Sequence, residues 1–162
     1  MSQDPVDRTV YNEIVALLDA RGAEYQLITH GHAITSMDTA RETGFDLHHG
    51  AKSIVFKTGG EFQLVVVRGD HRADFKKLRK HFGTNKIRMA SEEEVFEQMR
   101  VRVGACYPFG EVAGLNMIVD ATLKDVELVH FSPGTHYDHI QMSTDEYFRV
   151  VEPTFADIAL DD

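Results

Sequence analysis

The chain has 162 residues, 43% apolar and 27% charged, with a formal net charge of −9 and a single cysteine, Cys106. That length fits one domain, residues 1–162, able to bury roughly two-thirds of its unfolded surface without staples. A lone cysteine excludes an internal disulfide and suits a reducing cytoplasm, and no apolar run approaches the ~20 residues that span a bilayer. The start, Met1-Ser2-Gln3-Asp4-Pro5, lacks the basic and apolar segments of a secretory signal, so a cytoplasmic protein with no membrane partner is expected.

Asp4 and Pro5 predict a helix start, with Val10, Ile14, Leu17 and Leu18 as the apolar stripe and Gly22 as the stop. A short strand is expected over 25–29. Thr35-Ser36-Met37-Asp38 has the form of a capping box and opens a helix that stops near Gly44. Residues 52–57 and 62–68 are rich in branched and aromatic side chains and read as strands, joined by a Gly59-Gly60 hairpin. Phe75, Leu78 and Phe82 recur at helical spacing before Gly83, while Lys76, Lys77, Arg79 and Lys80 occupy the other face. Ser91 caps a further helix whose Val95, Phe96 and Met99 are expected to face inward. Strands follow over 115–120, 126–131 and 137–142, then a helix from Ser143 that ends before Pro153. The acidic tail, 154–162, is expected to fray. Helices and strands alternate early and strands cluster late. This predicts an α/β (α+β) fold, a single mixed and mainly antiparallel sheet with helices packed around it.

Gly104-Ala105-Cys106-Tyr107-Pro108-Phe109-Gly110 interrupts this pattern. Two glycines and a proline fix an irregular backbone that presents bare N–H and C=O groups. Cys106 lies within it, but no base is identifiable to activate a thiol, so the backbone matters more than the sulfur. Lys52 alternates in phase with Ile54 and Phe56, toward a core or pocket. An ammonium placed there either meets an anionic ligand or reaches solvent from the strand end. Residues 68–88 carry eight Lys and Arg against two Asp, a local +6 in an acidic chain, which reads as a solvated face or a phosphate-binding patch. The pairs His30/His32 and His136/His139 are spaced loosely enough for zinc, but no second cysteine supports a metal, and none is expected. His48-His49 receive no role. No nucleophile elbow, phosphate-binding glycine loop or HExxH motif is present.

From about residue 25 to 151, these features together resemble the YbaK family of aminoacyl-tRNA editing proteins, a domain also found inserted in bacterial prolyl-tRNA synthetases. The resemblance rests on His32-Ala33-Ile34-Thr35, Gly50-Ala51-Lys52, the Gly59-Gly60 hairpin, the basic helix after Arg68, Gly104 to Gly110, and Asp120 at a strand end. It implies a free-standing enzyme that hydrolyses the ester between a wrong amino acid and tRNA, with no metal, cofactor or covalent enzyme intermediate. Carried over, Lys52 and Gly104 are the catalytic candidates, Lys52 meeting the terminal adenosine's phosphate and the loop cradling the aminoacyl group. His32, Thr35, Ala105, Cys106, Tyr107, Pro108, Phe109, Asp120 and His136 are the substrate-binding candidates. Arg72, Lys76, Lys77 and Lys80 are the candidate tRNA contacts. A histidine that shapes selectivity in several family members is matched here by Ser132, with His136 as its nearest replacement. Mischarged tRNA, held at its acceptor end, is the implied partner, with an aminoacyl-tRNA synthetase as a further one; a monomer and a homodimer are both compatible. The alternative reading is a non-catalytic binder of tRNA or of an aminoacyl ligand.

Overall fold

The computed structural model describes residues 6–161. In chain order its elements are α1 (Thr9–Ala20), β1 (Gln26–Thr29), α2 (Ser36–Thr43), β2 (Ala51–Thr58), β3 (Glu61–Arg68), α3 (Phe75–Phe82), β4 (Ile87–Met89), α4 (Glu92–Met99), α5 (Gly110–Ala113), β5 (Asn116–Asp120), β6 (Leu128–Phe131), β7 (Asp138–Ser143), α6 (Thr144–Val151) and β8 (Thr154–Ala156). The Asp4-Pro5 start lies outside the described residues. α1 buries Val10, Ile14 and Leu18, as their spacing requires. Reciprocal capping boxes open α2, between Thr35 and Asp38, and α4, between Ser91 and Glu94. Asp74 caps α3 through the N–H groups of Lys76 and Lys77.

The mixed α/β architecture is present, but the expected single sheet is divided in two. One sheet has the order β4-β2-β3-β5-β8, antiparallel across β4-β2-β3 and parallel across β3-β5-β8. The other is antiparallel, β1-β7-β6, and meets the first through a bridge between Gly50 and His130. The division follows from where the apolar faces go. β3 is buried on both sides, with Leu64 and Val66 facing the larger core and Val65 and Val67 a smaller one beneath α3. The larger core needs a cover, and Val129, Phe131, Ile140 and Met142 of the second sheet supply it together with α1, α4 and α6.

Two further expectations are corrected. Phe96 does not face inward; it is exposed, and the Arg102 guanidinium stands 4.1 Å over its ring. The tail is not frayed over its described length. β8 pairs with β5, Ile158 is fully buried, and Asp120 accepts hydrogen bonds from the N–H groups of Ile158 and Ala159, both at 3.0 Å. Acidic composition concealed the apolar Phe155 and Ile158 that anchor it.

Candidate active site

A cavity of about 390 Å³ opens between the two sheets. Along one wall runs β2 with the residue before it, Gly50 to Val55 without a gap. The facing wall is the irregular loop at Val103, Gly104 and Cys106, with Ile34, Thr35 and Thr39 at the α2 side and His130, Ser132 and His139 from the β6-β7 region. Lys52 and the Gly104 loop therefore share one cleft.

The loop holds its shape by being fastened from behind. His136 Nε2 donates to the Val103 carbonyl at 2.8 Å, leaving Nδ1 to accept from His32 Nε2 at 3.4 Å. Tyr107 donates its hydroxyl to the Met99 carbonyl at 2.8 Å, and the fully buried Tyr147 donates to the Pro108 carbonyl at 2.6 Å. Gly104 is required by its setting: its φ is 91°, and a Cβ there would lie 2.5 Å from the Ile34 carbonyl oxygen. Main-chain carbonyls at both ends of the loop are thus tied down by side chains outside the cavity.

The ionisable groups of the cavity are tuned mainly by burial. Lys52 is half-buried and its Nζ donates to the His71 carbonyl at 2.8 Å; burial, then the Arg72 charge, press its ammonium below the ordinary lysine value, and Asp70 opposes them. His130 Nε2 lies 2.9 Å from the Asp46 carbonyl, so Nε2 carries the proton and Nδ1 keeps a lone pair that is buried and unpartnered. Burial lowers its pKa, which keeps the ring neutral. His139 is pushed down to about 3 by burial and then by neighbouring His130. Ser53 Oγ is likewise buried without a partner. Burial pushes the Cys106 thiol up to about 12, so near neutral pH it is no thiolate nucleophile.

This arrangement sits within a stretch of sequence with known relatives: the Aminoacyl-tRNA editing domain family matches residues 30–150. The chain belongs to this family. It is 28% identical over 149 residues to the Multifunctional Ser/Thr-tRNA deacylase ProXp-y of Escherichia coli (strain K12), covering 88% of this chain and 89% of that protein. It is 32% identical over 103 residues to the Proline--tRNA ligase of Halalkalibacterium halodurans, covering 64% of this chain and 18% of the ligase. Among solved structures, a candidate trans-editing enzyme for prolyl tRNA synthetase superposes with a TM-score of 0.82 at 23% identity, covering 99% of this chain and 100% of that one. The hypothetical protein APE2540 gives 0.83 at 21% identity, covering 91% and 99%. At those identities the likeness is one of fold.

Within the editing domain, the candidates Lys52, Thr35, Gly104 and Cys106 are among the residues lining the cavity, and the remaining candidates stand elsewhere. Ala105, Tyr107, Pro108 and Phe109 are buried behind or beyond the loop; Phe109 packs edge-on to Phe131 and Tyr147 and borders a separate hollow of about 500 Å³ near α5. His32 and His136 brace the loop from outside. Asp120 is committed to the fold. Burial raises its pKa, but hydrogen bonds from Thr122, Ile158 and Ala159 outweigh this and hold the carboxylate below its ordinary value. Lys77 is occupied by Asp157 at 2.8 Å, Asp161 at 2.9 Å and the Ala159 carbonyl at 2.7 Å, so of the four candidate tRNA contacts Arg72, Lys76 and Lys80 are the exposed ones. Sequence reasoning missed Ser53, His130 and His139. Two histidines, His130 and His139, face the cavity beside Ser132, and their places on covered strands were the available signal. Among the described residues no three His, Cys, Asp or Glu side chains gather to hold a metal ion, and no helix is long and apolar enough to cross a membrane.

Proposed function

We propose that this editing domain hydrolyses the ester of mischarged aminoacyl-tRNA, acting in trans, with the aminoacyl group in the cavity between β2 and the Gly104 loop. The observation that carries the reading is that cavity: a cationic strand and a braced main-chain loop on facing walls of a family member's only partly polar cleft. An aminoacyl ester is already reactive, so positioning and stabilisation of the developing oxyanion suffice. Water adds to the carbonyl carbon, the ester C–O bond breaks, and the ribose oxygen leaves with a proton. The amino acid departs as its carboxylate. The neighbouring ribose hydroxyl guides the water, which spares the protein a nucleophile; the raised thiol pKa of Cys106 agrees with that division of labour. Lys52 meets the terminal adenosine's phosphate, and Arg72, Lys76 and Lys80 meet the acceptor stem in a salt-dependent manner.

The substrate class follows from what the cavity leaves unpaired. Ser53 Oγ and His130 Nδ1 are buried polar atoms without partners. A hydroxyl-bearing side chain satisfies such atoms, whereas an alanyl methyl leaves them unpaired at about 1–3 kcal/mol each. Seryl and threonyl esters are therefore preferred, in keeping with the activity named for the Escherichia coli relative, and the likeness to part of a Proline--tRNA ligase supports tRNA for proline as a carrier.

The test is a panel of tRNAs charged with serine, threonine and alanine. Release of serine or threonine is expected, with Lys52→Ala losing most of the rate. Binding without turnover on every member would return the non-catalytic alternative.

A further inference from the structure

Six consecutive residues, Gly50 to Val55, line the cavity. Alternation would place only every second residue of a strand on one face, so the cavity meets β2 along its edge. β3 covers one edge of β2 over its whole length, from Ala51 opposite Arg68 to Thr58 opposite Glu61. On the other edge β4 pairs only with Phe56, Lys57 and Thr58, and Gly50 makes the bridge to His130. Between those points, among the described residues, no strand pairs with β2.

One bond sets the phase of this open edge. The Val55 carbonyl accepts from the Ala90 N–H at 2.9 Å, on the side away from β3. Main-chain groups of an antiparallel strand alternate sides residue by residue. The N–H and C=O of Ser53 therefore point the same way as the Val55 carbonyl, into the cavity, while Lys52 and Ile54 turn theirs to β3. Ser53 thus offers the cavity a main-chain donor, a main-chain acceptor and a buried hydroxyl without a partner.

We infer that Ser53 receives the aminoacyl group as a one-residue antiparallel β partner. An aminoacyl ester carries an ammonium and a carbonyl on the two sides of one Cα, the pair of groups a strand residue uses in a hydrogen-bonded antiparallel pair. The Ser53 carbonyl accepts from the ammonium. The Ser53 N–H donates to the ester carbonyl oxygen, and this bond strengthens as water adds and that oxygen becomes an anion. Directly opposed residues place their side chains on the same face, with Cβ atoms about 4.5–5.5 Å apart. The acyl side chain then stands beside Ser53 Oγ, which makes Ser53 the residue that reads a β-hydroxyl. This rests on the deacylase reading and deepens it.

The test uses a non-hydrolysable amide, 3′-deoxy-3′-(serylamino)adenosine, titrated into ¹⁵N-labelled protein. The Ser53 amide proton is expected to move downfield further than those of Lys52 and Ile54, which already bond to β3. In parallel, Ser53→Ala is expected to lower the preference for seryl- over alanyl-tRNA about tenfold in kcat/KM. An amide-to-ester replacement at position 53, which removes the N–H and weakens the Lys52 carbonyl as an acceptor toward β3, is expected to lower kcat on both substrates with little change in KM. Unfolding curves of both variants keep a folding defect apart from these effects. If the probe binds and the Ser53 amide stays still, or does not bind at all, the inference is overturned. If the probe moves Ser53 but no charged tRNA is cleaved, the deacylase reading falls and the β pairing stands.

Discussion

Replacing Gly104 by alanine separates the shape of the loop from the stability of the fold. Gly104 has φ 91°, and an added Cβ would stand 2.5 Å from the Ile34 carbonyl oxygen and 2.8 Å from Ile34 Cγ2. A positive φ alone costs a Cβ-bearing residue about 1–2 kcal/mol. The Ile34 oxygen belongs to the main chain and cannot rotate away, so the contact is relieved by moving the loop roughly 1 Å, a displacement of the size that can cost about 10²-fold in rate. Gly114 supplies the control. Its φ is 72°, and a Cβ there meets nothing within 4 Å, so Gly114→Ala bears the backbone cost by itself. Gly114→Ala is expected to lose about 1–2 kcal/mol, a fall in Tm of roughly 2–8 °C for a chain of this length, and Gly104→Ala at least as much. Circular dichroism on heating measures that loss. Only Gly104→Ala is expected to lose roughly 10²-fold in kcat/KM on seryl-tRNA. If Gly104→Ala cleaved seryl-tRNA as fast as Gly114→Ala, the loop would not be a wall of the reacting site.

Three further outcomes follow from the remaining buried groups. Asp120→Ala strips the partner from the buried N–H groups of Ile158 and Ala159, and a loss of about 2–4 kcal/mol is expected in urea unfolding; a loss below 0.5 kcal/mol would mean that water replaces the carboxylate. Cys106, with its thiol near 12, should be about 10⁻⁴ thiolate at pH 8 and react with iodoacetamide at least about 10³-fold more slowly than a free thiol; alkylation at the free-thiol rate would contradict its burial. His139 has its pKa lowered from 6.5 to about 3, so the unfolded chain binds the extra proton between those values and stability falls as pH drops through that window. The slope is at most about 1.4 kcal/mol per pH unit, and denaturation midpoints measured from pH 7 to 4 should show a shallower acid loss in His139→Asn than in the parent protein.

Local chemistry makes most elements legible in the sequence alone. The Thr35-Asp38 and Ser91-Glu94 boxes and the Gly59-Gly60 hairpin lie where their residue types require, because each is decided within four residues. What depends on distant partners was not legible. Lys77 carries the same charge as Lys76 and Lys80, and only the return of the tail decides that it serves Asp157 and Asp161. Asp120 has the look of a site residue at a strand end, yet the N–H groups it holds lie 38 and 39 residues away in sequence. The irregularity of the loop is written in its own glycines and proline, whereas its bracing by His136 and Tyr147 is not, since neither has a local reason to reach it. The open edge of β2 was hidden for a similar reason. Periodicity reports which face of a strand is buried and is silent on which edge is paired.

An open strand edge is normally a hazard, because unpaired main-chain groups invite another chain. Here the open edge borders a cavity whose other lining includes Thr39 of α2 and the braced loop at Val103, Gly104 and Cys106, so a partner for that edge would have to enter this cavity. The same cavity explains how selectivity and chemistry can be held by different atoms. In the proposed reading, main-chain groups on both walls would act on the ester that every aminoacyl-tRNA shares. Ser53 Oγ and His130 Nδ1, both buried without partners, would act on the side chain that differs between them. Exchanging those two side chains while leaving the struts His136 and Tyr147 in place should therefore change which amino acid is released before it changes how fast the ester is broken, and a kcat loss equal for serine and alanine in such exchanges would show that the two tasks share their atoms after all.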